Sequence, residues 1–283
     1  MSDDENDVDE VTDEERQQIA QHFLLSSPPG QFHEVLSDVR KLLPEGLIAD
    51  PLAAGIARAF HSKTNKVVTT PAGAKVPLCA AGEIDPTHYV DPKSGQSFAL
   101  DHLSLKTVED SSPSNQDVLL ESKRAALQAG LDAYVTSRFV AEEAAAGVYA
   151  REGRIVAVLS GERPNLRNFW SGRWSSTWTV QCAGDQATIA GEIKVHAHYF
   201  EDGNVQLQTT KAIASTTIPF SSEAEFTEQI VAHINASEGD LQSALEDMYA
   251  NMNEETFRAM RRIMPVKRTK MEWNVNAVRM NKQ

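Results

Sequence analysis

The chain has 283 residues, a formal net charge of −13, and 41% hydrophobic but only 7% aromatic side chains, enough for a sizeable core in one or two domains. No run approaches the roughly 18 consecutive apolar residues of a membrane span, and the opening MSDDENDVDE has neither the basic nor the apolar part of a secretory signal, so a soluble cytoplasmic protein is expected. Cys79 and Cys182, far apart in sequence, are the two cysteines; they suit two buried free thiols in a reducing compartment better than a disulfide framework.

The first fifteen residues hold nine acids and no base, so residues 1–11 read as an acidic, disordered tail. Residues 12–62 read as a three-helix bundle. Thr12 and Glu15 have the spacing of a capping box, with Ile19 and Phe23 one turn apart behind them, and Pro28-Pro29-Gly30 stops the first helix. Phe32, Val35, Leu36, Val39 and Leu43 carry a second helix to Pro44. Asp50 as N-cap and Pro51 at the first helical position open a third, with Leu52, Ile56, Ala59 and Phe60 on one face. Residues 63–110 turn to Thr, Val, Pro and Gly without helical period, a small β region.

Residues 111–255 read as a helix, an antiparallel sheet and a long helix. After the loop Ser111-Ser112-Pro113-Ser114, Leu120, Leu127, Leu131 and Tyr134 mark a helix to about Phe139. Gly147 to Leu159 and Arg173 to Val180 read as strands. Alternating runs on either side of Glu201-Asp202-Gly203-Asn204 predict a hairpin with a tight Asp-Gly turn. Four or five strands then span about 147 to 218. Ser222 and Glu225 start a helix of about thirty residues through Phe226, Ile230, Ile234, Leu241, Leu245, Met248 and Met252. Such a sheet has one helix-covered face and two exposed edges, and it needs edge protection or a partner's strands.

Trp170, Trp174 and Trp178 share one face whether the segment is helix or strand; the Ser/Thr-rich surroundings favour strand, with the indoles packed beneath the long helix rather than forming a ligand-stacking platform. His196 and His198 form His-x-His, but no third ligand lies nearby, so they read as part of a solvated sheet face with no metal. Nucleophile-elbow, zincin, P-loop and dinucleotide fingerprints are all missing from the sequence, which lowers the enzyme reading; no cofactor is expected.

Residues 256–283 carry eight bases against Glu272 alone, a local +7 that leaves −20 on the other 255 residues. Arg258, Arg261 and Arg262 surround an apolar side of Phe257, Met260 and Met264. Beyond Pro265, Lys267, Arg268 and Lys270 precede Met271, Trp273, Val275 and Val278. A basic, amphipathic end on an acidic body reads as a binding arm. The acidic body repels nucleic acid, and anionic phosphoinositides are an alternative ligand for the arm.

Four stretches carry a resemblance: Val11-Thr12-Asp13-Glu14-Glu15 through Gly30-Gln31-Phe32, Asn168-Phe169-Trp170-Ser171-Gly172-Arg173-Trp174, His198-Tyr199-Phe200-Glu201 through Gln206-Leu207, and Phe257-Arg258-Ala259-Met260-Arg261-Arg262 through Lys270-Met271-Glu272-Trp273. In these the chain resembles, nearly end to end, the alpha subunit of the heterodimeric F-actin capping protein. The resemblance implies an α+β fold: an N-terminal helical bundle, a small β region, an antiparallel sheet continuous with a partner's sheet and covered by a long helix, and a basic C-terminal tentacle. It implies a non-catalytic protein that pairs with a beta subunit and blocks actin filament barbed ends without calcium. Arg258, Arg262 and Arg268 fall on the family's basic capping positions, with Arg261, Lys267, Lys270, Met271, Trp273 and Val275 beside them. Phosphoinositides and proteins with capping-protein-interacting motifs are further candidate partners. The competing readings are a peripheral phosphoinositide-binding protein and an unrecognised hydrolase.

Overall fold

The computed structural model describes residues 11–110, 118–139, 143–201 and 204–252. The acidic tail, the Ser111 to Ser114 loop, the Asp202-Gly203 turn and the basic arm lie outside these residues.

Helices α1 (Asp13–Leu25), α2 (Phe32–Leu42) and α3 (Asp50–Thr64) share one hydrophobic cluster. The Thr12 hydroxyl accepts from the Glu15 amide at 3.3 Å while the Glu15 carboxylate accepts from the Thr12 amide at 2.9 Å, satisfying two donors at the helix start. Ala20 and Leu24, one residue on from the expected Ile19 and Phe23, face the core; Ile19 and Phe23 are exposed. Ala49 is the N-cap of α3, which puts Asp50 first in the helix rather than before it. Phe32 of α2 stacks on Phe60 of α3 at 4.8 Å, joining Leu24, Leu36 and Ile56 in one core.

The β region contains the ribbon β1 (Val67–Thr69) and β2 (Lys75–Pro77), then a four-stranded antiparallel sheet of β3 (Glu83–Asp85), β4 (His88–Val90), β5 (Ser97–Leu100) and β6 (Thr107–Asp110). Its last two hairpin loops share one design. Asp91 accepts from the Lys93 amide and the Ser94 hydroxyl, and Asp101 from the Leu103 amide and the Ser104 hydroxyl. The two Asp-x-x-Ser segments, ten residues apart, are a local repeat that the sequence reading did not register.

Helix α4 (Glu121–Arg138) leads into five antiparallel strands, β7 (Glu143–Arg151), β8 (Arg154–Asn165), β9 (Trp170–Ala183), β10 (Gln186–Tyr199) and β11 (Val205–Pro219), ordered as in the chain. The expected single strand over Gly147–Leu159 is a hairpin. Glu152 at φ 54° and Gly153 at φ 72° make its two-residue turn, the left-handed pair that matches strand twist. The strands of the β10–β11 hairpin end at Tyr199 and Val205, leaving five residues between them instead of a two-residue loop.

Both faces of the sheet are covered, not one. On one face Trp178 is fully buried and meets His233 of α5 (Glu223–Met252) edge-on at 6.0 Å. Gly191 stands opposite Trp178 in the β9–β10 ladder, and a Cβ there would overlap the indole. Trp178 thus occupies the expected place beneath the long helix. Trp174 instead lies by Arg138 of α4, 5.6 Å away, and Trp170 by Arg163 at 5.3 Å. The residues of α5 from Glu238 onward belong to a second compact unit.

The opposite face receives the bundle and the β region. His198, expected in solvent, is buried there: Gln31 contacts its Nδ1 at 3.1 Å, Asn204 its Nε2 at 3.1 Å, and Phe200 stacks on its ring at 4.8 Å. Cys79 packs on Tyr149 and Val158 and is buried as expected, while Cys182 is only half-buried. No helix among the described residues is long and apolar enough to cross a membrane.

Candidate functional site

The arm residues singled out in the sequence, Arg258, Arg261, Arg262, Lys267, Arg268, Lys270, Met271, Trp273 and Val275, lie outside the described residues. The candidate site that the described residues do build is the outer edge of β11.

This strand runs for 15 residues and has one charged side chain, Lys211. Its only strand partner among the described residues is β10, from Tyr199↔Val205 to Gln186↔Pro219. Alternate peptide groups along β11 therefore point away from the ladder, an open template for another strand. Thr209, Thr210, Ile213, Thr216, Thr217 and Ile218 supply the β-branched character that favours extended backbone. One irregularity interrupts it: Ile189 pairs with Thr216 but Gly191 with Ile213, so Ala214 and Ser215 together oppose Ala190 as a bulge. Proline comes only at the last position, Pro219. The strand lacks most of the devices that blunt a free edge: short length, repeated lysines and internal proline.

The other edge, β7, is closed by side chains of α4. Gln128 accepts from the Val148 amide at 2.8 Å and donates to the Ala146 carbonyl at 3.1 Å, taking the place of a neighbouring strand's peptide. Arg124 Nη1 donates to the Val148 carbonyl at 3.1 Å and the Pro92 carbonyl at 2.7 Å, while its Nη2 and Nε donate to the Glu121 carboxylate at 2.6 and 2.7 Å. That ion pair keeps the Glu121 carboxyl below its ordinary pKa. Both Arg124 and Gln128 are buried. Sequence reading found the helix but assigned these two residues no role, since nothing in a helical period marks which polar side chain will meet a strand edge.

A second polar cluster ties α3 to the β region. His61 and His102 stack with ring centres 5.5 Å apart and Nδ1 atoms at 3.2 Å. His102 Nε2 lies 3.2 Å from the Pro86 carbonyl, which can only accept, so Nε2 carries the proton and His102 Nδ1 accepts from His61. Burial pushes the His61 pKa down to about 3, and burial likewise lowers that of His102. Tyr89, whose pKa is raised mainly by burial, and the Arg58–Glu83 ion pair close the cluster. This arrangement holds neutral imidazoles in a core. No group of three or more His, Cys, Asp or Glu among the described residues is arranged to hold a metal ion.

The fold is shared with a solved structure. The solved homodimeric actin capping protein alpha subunit from Plasmodium berghei superposes with a TM-score of 0.75 at 22% identity, covering 90% of this chain and 99% of that one. The F-actin-capping protein subunit alpha of Dictyostelium discoideum is 34% identical, covering 93% of this chain and 95% of its own length, and that of Caenorhabditis elegans is 30% identical over 94% and 96%. The family model described as F-actin capping protein alpha subunit matches residues 20–283, and the chain belongs to that family.

Proposed function

We propose that this chain is the alpha subunit of a cytoplasmic, non-catalytic dimer that caps the barbed ends of actin filaments without calcium and blocks subunit exchange there. The observation that carries the assembly half of the reading is the bare β11 edge beside a β7 edge that is capped. A partner strand laid on β11 extends the sheet across the dimer, and the partner is a beta subunit. The homodimeric Plasmodium berghei relative makes a second copy of the chain the competing partner.

The capping half rests on family membership and on the charge of residues 256–283. Eight bases on this arm attract the acidic actin surface and speed encounter, and Met271, Trp273 and Val275 slow release through apolar contact. Removing the charges of Arg258, Arg262 and Arg268 then lowers the association rate mainly, by about tenfold at low salt.

The test is seeded elongation of pyrene-labelled actin at barbed ends, with the chain co-expressed with a beta subunit or purified alone. Inhibition by the mixed dimer at nanomolar concentration, lost when residues 256–283 are removed, supports the reading. Inhibition by the chain alone identifies the partner as a second copy. A folded mixed dimer that leaves elongation unchanged, with or without chelated calcium, rejects capping.

A further inference from the structure

Arg173 is a buried residue whose guanidinium has no hydrogen-bond or ion-pair partner among the described residues. It lies in β9 within the Trp170–Trp174 stretch and is 6% exposed, with its guanidinium 5.5 Å over the Phe60 ring. Glu162 stands opposite it in the β8–β9 ladder, but Lys66 holds that carboxylate at 3.0 Å and also reaches Glu143 at 3.0 Å. Among the described residues no ion pair or side-chain hydrogen bond to the guanidinium is formed, and its pKa is lowered by burial with only the more distant charge of Glu162 opposing. A group with five donors is seldom left this way, because burying it without acceptors is costly.

The guanidinium borders a cavity of about 160 Å³ between the ends of α1 and α3 and the β9–β11 part of the sheet. That is far more than the 10–15 Å³ or so needed to seat one water. Lys63 and Lys194 line it as well, with the hydroxyl-bearing Ser175 and Thr210, and Phe60 as an apolar wall. Lys194 also pairs at 2.6 Å with Glu192, both side chains being 44% exposed, so that contact sits at the wet rim. His196 contributes no charge: burial lowers its pKa, and its Nε2 lies 3.1 Å from Gln206 and 3.3 Å from Gln208.

We infer that this cavity is an oxyanion-binding site, with Arg173 as its fixed fork and Lys63 and Lys194 at its mouth. A phosphate or carboxylate group supplies the planar or tetrahedral oxygens that a guanidinium binds through paired N–H bonds. The oxyanion can come from solution, or from an acidic side chain of the partner subunit, since Thr210 in the cavity wall belongs to the open strand. The second source rests on the assembly reading above.

The test is thermal unfolding of the full chain, alone and assembled with its partner, in inorganic phosphate against chloride at constant ionic strength. Parent, R173K and R173M are compared, a readout independent of capping. In chloride, R173M melts at or above the parent, because methionine removes a buried unpaired charge. About 10 mM phosphate raises the parent by roughly 3 °C, R173K by less, and R173M not at all. A phosphate shift in both the free and assembled parent identifies a solution anion. A shift in the free chain alone, with R173M assembling at least about tenfold more weakly, identifies a partner carboxylate. Equal phosphate shifts in parent and R173M, or no shift in any state together with unchanged assembly, overturn the proposal. Should R173M not fold, phosphate titration of the parent by calorimetry at equal ionic strength decides: measurable binding supports the site and no binding overturns it.

Discussion

The five-stranded sheet has two edges made of the same backbone and finished in opposite ways. At β7 the outward peptide groups of Ala146 and Val148 are taken by Gln128 and Arg124 of α4. At β11 fifteen residues run with one lysine and a single bulge. The comparison shows that edge protection is a local choice made by side chains, and that an edge left bare over such a length has been kept available. A free strand of this kind costs solubility in isolation, a burden that assembly removes.

The largest effect that could break this contrast comes from neighbouring prolines in β11. Successive N–H groups alternate between the β10 ladder and the open side, so T209P and T210P should behave differently. One removes a ladder bond and lowers stability by about 3 kcal/mol in urea unfolding. The other leaves the subunit folded and abolishes assembly by size-exclusion chromatography with light scattering. Equal assembly by both would show that β11 is not a pairing edge.

The closed edge gives the next largest effect. Q128L keeps the side-chain volume but strands the Ala146 carbonyl and the Val148 amide, each a loss of about 1–3 kcal/mol when buried without a partner. The urea midpoint should fall accordingly, while assembly through the distant β11 is unaffected in the surviving folded fraction. A neutral Q128L would mean that β7 needs no cap and that the two edges are less different than their hydrogen bonds suggest.

A smaller effect sharpens the comparison by separating fold stability from assembly. His61 has a folded pKa of about 3 against the ordinary 6.5. Between these values the unfolded chain binds a proton that the folded chain refuses, so stability is retained above pH 6.5 and falls as pH drops toward 3. The slope from this one group is about 1.4 kcal/mol per pH unit, and H61F, which keeps an aromatic plate beside Phe32 and Phe60, should flatten it. Unfolding midpoints of parent and H61F measured between pH 4 and 7 check this; parallel curves would contradict it.

Much of the fold was legible in residues whose local chemistry decides their structure. The Thr12–Glu15 box, the helix-breaking Pro28-Pro29, and the Ser/Thr-rich run around Trp174 all act within a few residues of themselves. The β7–β8 hairpin was not, because β7 is rich in alanine and its Glu152-Gly153 turn sits between Arg151 and Arg154, where charge masks the alternation. Ile19 and Phe23 misled for a different reason: the helical period fixes which residues share a face, while the packing of α2 and α3 decides which face is covered. His198 and Gln128 illustrate the remaining gap. Their roles depend on Gln31, 167 residues away, and on a strand edge 18 to 20 residues on, relations that no period in the sequence encodes.

Hydrogen–deuterium exchange across assembly tests the central claim most directly, with backbone amides of residues 205–219 compared in the free chain and in the complex. Pairing along β11 predicts protection of alternate amides of that strand by roughly 100-fold or more, with residues 143–151 unchanged. Unchanged exchange over 205–219 in a verified complex would contradict it and move the assembly surface elsewhere on the molecule.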